Sequence, residues 1–260
     1  MAASELAAAL TRLDEITRLL RRECPWDREQ DERSIVPHTV EEAYELAAAA
    51  HGGDDAKLLD ELGDVLFQVH FLALLLEERG AGSLAEVAEH CRQKLIRRHP
   101  HVFGAVEAET AGEVLRNWDQ IKESEPGREP GLFGEVPETL PGPLYARKVQ
   151  RRAASSGFDF DHVPYEAVEG ELGELRDAAG DAEAAFHEVG DVLFAAVNVA
   201  RKLRVDPELA LRGASDRFRA RVESAAALAA GDGAAWSDLA PDAQLGYYAR
   251  ARLAETKELP

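Results

Sequence analysis

Apolar positions recur at spacings of three and four residues along most of this chain, and short clusters of glycine, proline and aspartate interrupt them. Leu62, Val65, Leu66, Val69 and Leu72 form one such stripe. Alternating β-branched runs are almost absent, while Ala, Leu, Glu and Arg are abundant. That periodicity and those propensities predict helices. The expected helices span 4–22, 39–51, 54–79, 83–98 and 110–123 in the first half, and 141–155, 164–179, 182–204, 207–230 and 238–255 in the second. Caps agree with these limits: Asp54 and Asp55 follow Gly52 and Gly53, and Ser83 follows Gly80 and Gly82.

The two halves resemble each other. Glu61-Leu62-Gly63-Asp64-Val65-Leu66-Phe67 recurs as Glu188-Val189-Gly190-Asp191-Val192-Leu193-Phe194. Upstream, Glu42 and Glu45 recur as Glu171 and Glu174. Downstream, Lys94 and Arg98 are echoed by Arg217 and Arg221. Breakers concentrate at Glu125–Gly131, near the midpoint. The expected organisation is therefore all-α, with two tandem helical-bundle domains at 1–125 and 138–260 joined by a Pro/Gly-rich linker at 126–137. The runs Phe67–Leu76 and Val192–Ala200 leave each copy an apolar face larger than it can cover, which predicts a homodimer.

Composition narrows the function. The chain has 260 residues, 45% of them hydrophobic, enough to build a core. Thirty Lys and Arg stand against 49 Asp and Glu, a formal charge of −19. Such a chain does not hold a nucleic-acid duplex or an anionic membrane by bulk electrostatics, so an anionic ligand needs a cation or a local basic cluster. The uncharged stretch Phe67–Leu76 is too short to span a bilayer. The first twenty residues carry Glu5, Asp14 and Glu15 and lack a basic leader. With only Cys24 and Cys91, a reduced, cytoplasmic protein is the expectation.

The chemistry concentrates in the repeated carboxylates. Residues three apart on a helix share a face, so Glu42 pairs with Glu45 and Glu61 with Asp64. A short turn at Gly52-Gly53 makes the two helices antiparallel, and the pairs then face one another. The apolar stripe from Leu62 to Leu72 is expected to be buried, with Glu61 and Asp64 at its margin. Four clustered carboxylates repel unless protons or a cation neutralise them. All donors are hard oxygens, which favours Mg²⁺ or Mn²⁺ over zinc. Acidic pairs also arise by chance on solvated faces of so acidic a chain, and the repetition in the same order argues against chance here. His70 is expected to be a satisfied core histidine, and Phe67 and Phe194 to be core. Gly63 and Gly190 cost about 1 kcal/mol each within helices, which close packing or a nearby ligand would justify.

Taken together, Cys24-Pro25-Trp26-Asp27-Arg28-Glu29-Gln30, Glu41-Glu42-Ala43-Tyr44-Glu45, Glu61-Leu62-Gly63-Asp64 and Lys94 to Gly104 resemble the MazG family of nucleoside triphosphate pyrophosphohydrolases. The likeness covers nearly the whole chain, because that family includes proteins with two tandem all-α copies. It implies Mg²⁺-dependent hydrolysis of (deoxy)nucleoside triphosphates to monophosphate and pyrophosphate, in dimers. It implies metal sites at Glu42, Glu45, Glu61 and Asp64 and at Glu171, Glu174, Glu188 and Asp191, with Glu174 or its counterpart Glu45 orienting the attacking water. Lys94 and Arg98, and Arg217 and Arg221, match the family's phosphate-holding pair. Asn198 matches a polar residue of the second copy's site, where the first copy has Phe71. Trp118 and Tyr248 (or its neighbour Tyr247) are candidates to stack on the base, although Trp118 can equally pack the last helix of its domain. The second copy departs from the family pattern at Gly170, Arg217 and Phe160, which bears on substrate preference more than on metal binding. The family's activity is tied mostly to the second domain. The alternatives are an enzyme narrow for one nucleotide, such as dUTP, dCTP or an oxidised base, and a non-catalytic nucleotide-binding helical dimer.

Overall fold

A computed structural model describes residues 3–123, 125, 131–134 and 136–258. No strand occurs among them, and the fold is all-α. The contacts divide the chain into two compact units, Met1–Lys122 and Glu123–Pro260. Half of the expected linker at 126–137, positions 126–130 and 135, lies outside the described residues.

The first unit comprises α1 (Ala3–Glu23), α2 (Pro25–Glu29), α3 (Glu32–Gly52), α4 (Asp55–Glu78), α5 (Leu84–Arg98), α6 (Pro100–Phe103) and α7 (Ala111–Glu123). Helix α3 starts seven residues before the expected 39. Asp31 caps it by accepting from the backbone N–H groups of Arg33 and Ser34, and the Ser34 hydroxyl accepts in return from the Asp31 N–H. This capping box carries the helix through Pro37, whose ring removes one intrahelical bond. Ile35, 1% exposed, anchors the extra turn in the core beside Phe71 and Leu75. The short helices α2 and α6 were not expected; each opens on a proline at a first-turn position, where a missing N–H costs nothing.

Helices α3 and α4 form an antiparallel hairpin turned by Gly53 and Asp54. Gly53 adopts φ +69°, which glycine takes without strain, and Asp54 caps α4. Two forked ion pairs tie α1 to the far end of α4: Arg18 to Glu77 and Arg21 to Glu78. Both arginine partners hold the glutamates below the usual carboxylate range.

The second unit comprises α8 (Gly142–Ser155), α9 (Tyr165–Asp177), α10 (Ala182–Lys202), α11 (Pro207–Gly231) and α12 (Pro241–Glu258), with a 3-10 turn at Trp236–Asp238. Helices α9 and α10 repeat the hairpin through a longer connection at 178–181. Helix α12 packs on α11 through fully or nearly buried alanines, Ala225, Ala229 and Ala251. Asp206 caps α11 and pairs with Arg147 of α8.

One expectation of the first unit fails in part. Of the stripe expected to be buried, Leu62, Leu66 and Val69 are exposed and only Val65 and Leu72 are half-buried, while Leu59, one turn before it, is 74% exposed. The second unit repeats this with Phe186 (76%), Val189 and Leu193. Helix α4 is rotated so that Glu61, Gln68, Phe71 and Leu75 face inward instead. Among the described residues, nothing outside its own helical backbone lies within 4 Å of a Cβ placed on Gly63 or Gly190, so packing against another described element does not explain those glycines. His70 is buried, but its Nδ1 has no hydrogen-bond partner, contrary to the satisfied histidine expected. Phe194 is 45% exposed and not a core residue, whereas Phe67 packs half-buried against Phe71.

Candidate acidic site

Each hairpin carries three glutamates to one point. In the first unit, α3 supplies Glu42 and Glu45 from adjacent turns of one face, and α4 supplies Glu61 from opposite. One carboxylate oxygen of each lies within 4.8 Å of the others. In the second, Glu171 and Glu174 of α9 meet Glu188 of α10 within the same limit. The antiparallel turn places the pairs in register, and the difference in turn length is absorbed where α9 ends sooner after its glutamates. Asp64 and Asp191 stand one turn further along, close enough to act electrostatically on Glu42 and Glu171.

Electrostatics mark both clusters as charge-frustrated. Burial, followed by the fields of Asp64, Glu45, Glu61 and Glu41, raises the Glu42 carboxyl above the usual range. Burial followed by Glu174, Asp191 and Glu188 raises that of Glu171. Glu61 is 5% exposed, and Glu188 Oε2 is shielded from solvent without any hydrogen-bond partner. Like-charged carboxylates this close, with an orphaned buried oxygen, would be relieved by a proton or by a bound cation. The donor set, oxygen alone, suits a hard divalent ion.

The raised values have a signed consequence for stability. A carboxyl whose folded value exceeds its unfolded one helps the fold below the ordinary glutamate value of about 4.3 and opposes it as pH rises through the folded value. Glu171→Gln removes that opposition. In chelator, the variant should melt higher than wild type at pH 7–8, and the difference should vanish below about pH 4. Added Mg²⁺ should reverse the order, because it stabilises the wild-type cluster by mass action. Thermal melts at several pH values read both effects; a variant less stable than wild type in chelator at pH 8 would contradict them.

The basic and aromatic candidates make contacts of their own. Arg98 is buried, with its guanidinium 5.4 Å from the ring centre of Trp118, and His99 meets the same ring edge-on. Trp118 thus packs within its own unit. Lys94 is half-buried one turn earlier on α5. In the second unit, Arg221 Nε donates to Glu255 at 2.6 Å across α11 and α12, with Tyr248 beside it as a further hydrogen-bond partner. Tyr248 packs on Phe218, and Tyr247 lies under Arg250 instead. Arg217 is exposed on the same helix as Arg221. A cleft of about 710 Å³ between α11 and α12 is lined by Arg221, Ser224, Asp232 and Glu255, and by no member of the acidic triads. Sequence reasoning missed Glu255. Its only signal is its place seven residues after Tyr248, hence on the same helix face. Asn198 lies two turns beyond Asp191 on α10 and accepts from Arg201.

The chain is similar in sequence to known proteins. Residues 30–103 match the MazG nucleotide pyrophosphohydrolase domain, a span that contains the whole first triad. The chain is 39% identical over 232 residues to the nucleoside triphosphate pyrophosphohydrolase/pyrophosphatase MazG of Thermotoga maritima, covering 88% of this chain and 89% of the relative. It is 40% identical over 207 residues to the nucleoside triphosphate pyrophosphohydrolase of Escherichia coli K12, covering 76% and 78%. A similar enzyme of Mycobacterium tuberculosis aligns over 149 residues at 34% identity.

Proposed function

The chain belongs to the MazG family, and from that premise we propose that it hydrolyses nucleoside triphosphates to nucleoside monophosphate and pyrophosphate with the help of Mg²⁺. The observation that carries this reading is the duplicated glutamate triad, three carboxylates from two helices within 4.8 Å in each unit.

Glu171, Glu174 and Glu188, with Asp191 a turn beyond, are the residues to hold Mg²⁺ in the second unit. Glu42, Glu45, Glu61 and Asp64 are their counterparts in the first. Bound divalent ions supply the positive charge that lets a polyphosphate approach a carboxylate cluster and withdraw charge from its phosphorus. The four carboxylates and a nucleoside triphosphate are both strongly anionic, so one ion does not reconcile them and about two or more per site are expected. Glu174, or Glu45 in the first unit, accepts a proton from a water aligned with the α-phosphorus. That water's oxygen forms the new P–O bond as the α–β anhydride bond breaks. The departing pyrophosphate carries the charge that Arg217 and Arg221 stabilise. Arg221 is held by Glu255, so a triphosphate tail must exchange with Glu255 for this guanidinium. The apolar stripes left open on α4 and α10 suit assembly as a homodimer.

Incubation with ATP and Mg²⁺ should yield AMP and pyrophosphate, and chelation should abolish turnover. Release of ADP and orthophosphate would overturn the reading.

A further inference from the structure

Where α12 lies on α11, small side chains make the contact. Ala225 and Ala229 are fully buried and Ala251 nearly so. Arg221 stands four residues before Ala225, and Glu255 four residues after Ala251. Each is therefore one turn along from the alanines on the same helix face. The alanines bring the helices close, and the two long side chains reach across the seam. Arg221 Nε donates to Glu255 Oε2 at 2.6 Å, with both side chains partly exposed. The pair lines the cleft of about 710 Å³ between α11 and α12, where Ser224 adds a hydroxyl.

Glu255 answers more than one cation. The hydrogen bond from Arg221 holds its carboxyl below the usual range against the opposing effect of burial, and the fields of Arg221, Arg217 and Arg252 act in the same direction. A carboxylate thus stands within a group of three arginines. Carboxylate and phosphate oxygens take the same guanidinium donors. A phosphate that binds Arg221 must displace Glu255, and Glu255 takes the guanidinium back when the phosphate leaves. Helix α12 has a second anchor besides this bond. Asp232 accepts from Arg250 at 2.7 Å, with Tyr247 as a further partner, and the buried alanines lie between the two ties.

We propose that Glu255 is a resident competitor for Arg221 in the second unit, the anion that pyrophosphate must displace in order to bind and that helps to expel it after hydrolysis. The inference rests on the pyrophosphohydrolase reading for its ligand. A triphosphate meets the same competition, but it also binds through its nucleoside, whereas pyrophosphate has phosphate contacts alone. Competition of this kind weakens ground-state binding without touching the chemical step. It raises KM and the inhibition constant of pyrophosphate together. Above KM the weaker substrate binding does not slow turnover, and quicker release of product helps wherever release is limiting.

The test uses the full chain carrying Glu61→Gln, which impairs the metal cluster of the first unit, with inorganic pyrophosphate and Mg²⁺. Calorimetry measures pyrophosphate binding. Turnover of ATP gives KM, kcat and inhibition by added pyrophosphate. Glu255→Gln keeps the length of the side chain and an acceptor oxygen but removes the charge. It should tighten pyrophosphate binding and lower KM by roughly 3-fold, the effect of one partly exposed ion pair, with kcat unchanged or lower. Glu255→Asp keeps the charge and should stay nearer wild type. With Arg221→Ala already present, Glu255→Gln should lose most of its effect, because the side chain competed for is gone. A melt without ligand should show Glu255→Gln no more stable than its parent. Tighter binding by a fold that is no firmer separates a competitor from a residue that merely holds α12. If Glu255→Gln instead weakens pyrophosphate and raises KM, Glu255 prepares Arg221 for phosphate, and the inference is overturned. Unchanged constants overturn it equally. Either result leaves the hydrolase reading intact so long as AMP and pyrophosphate form. Tighter pyrophosphate binding with no hydrolysis of ATP by the protein with or without Glu61→Gln would support the competitor and overturn the hydrolase reading.

Discussion

Glu188→Gln should lower pyrophosphate release by roughly 10²-fold or more, with the protein still folded. Glutamine keeps the size of the side chain and much of its hydrogen bonding but removes a formal charge from the centre of the second triad. Glu188 is the member whose Oε2 is already buried without a partner, so its charge is the one an ion relieves most. Without metal the variant escapes part of the repulsion that raises the Glu171 carboxyl, so a melt in chelator should show no loss of stability. Loss of turnover with a normal melt separates a ligand from a structural residue. The matching change in the first unit, Glu61→Gln, should cost little if the second unit carries the chemistry. Should Glu61→Gln abolish activity while Glu188→Gln leaves it at the wild-type level, the first unit is the enzyme and the assignment is reversed. A fall of about the same size in both variants would mean that the two sites work together.

Replacing Leu62 and Leu193 together by aspartate should convert a dimer into a monomer. Wild-type protein is expected to scatter light as twice 28.4 kDa at micromolar concentration. In each unit an apolar row on the hairpin's second helix points to solvent: Leu59, Leu62, Leu66 and Val69 in one, Phe186, Val189 and Leu193 in the other. Solvated faces seldom expose several large apolar side chains in a row. A repeated glycine adjoins each row with open space above its Cα, which lets another helix approach closely. An apolar cleft of about 520 Å³ along Gly190, Leu193 and Val197 continues the face. A charge placed at the centre of such an interface loses its hydration without gaining a partner, which costs several kcal/mol. A wild-type mass near 28.4 kDa would remove the basis for the dimer. A double variant that stays dimeric would place the interface elsewhere.

Much of this protein is legible in its sequence because the relevant physics is local. Helix periodicity, the caps at Asp54 and Ser83, and the turn at Gly53 act over a few residues, so the α3–α4 and α9–α10 hairpins follow from spacing. The glutamate triads follow as well, since i and i+3 share a helix face and a two-residue or four-residue turn brings facing helices into register. Helix α3 starts ahead of Pro37 because the Asp31 box and the burial of Ile35 outweigh one lost hydrogen bond. The rotation of α4 was decided only by tertiary packing. Its sequence is apolar on two sides, and periodicity does not say which side meets the rest of its own unit. Contacts with α1 and α3 put Phe71, Leu75 and the costly Glu61 inside and leave the more regular Leu59–Val69 row outside. The same holds for Gln150 and Glu255, which lie 44 and 34 residues from the partners they meet. Nothing in local spacing couples residues so far apart, whereas the folded bundle sets them within hydrogen-bond distance and fixes which way each points.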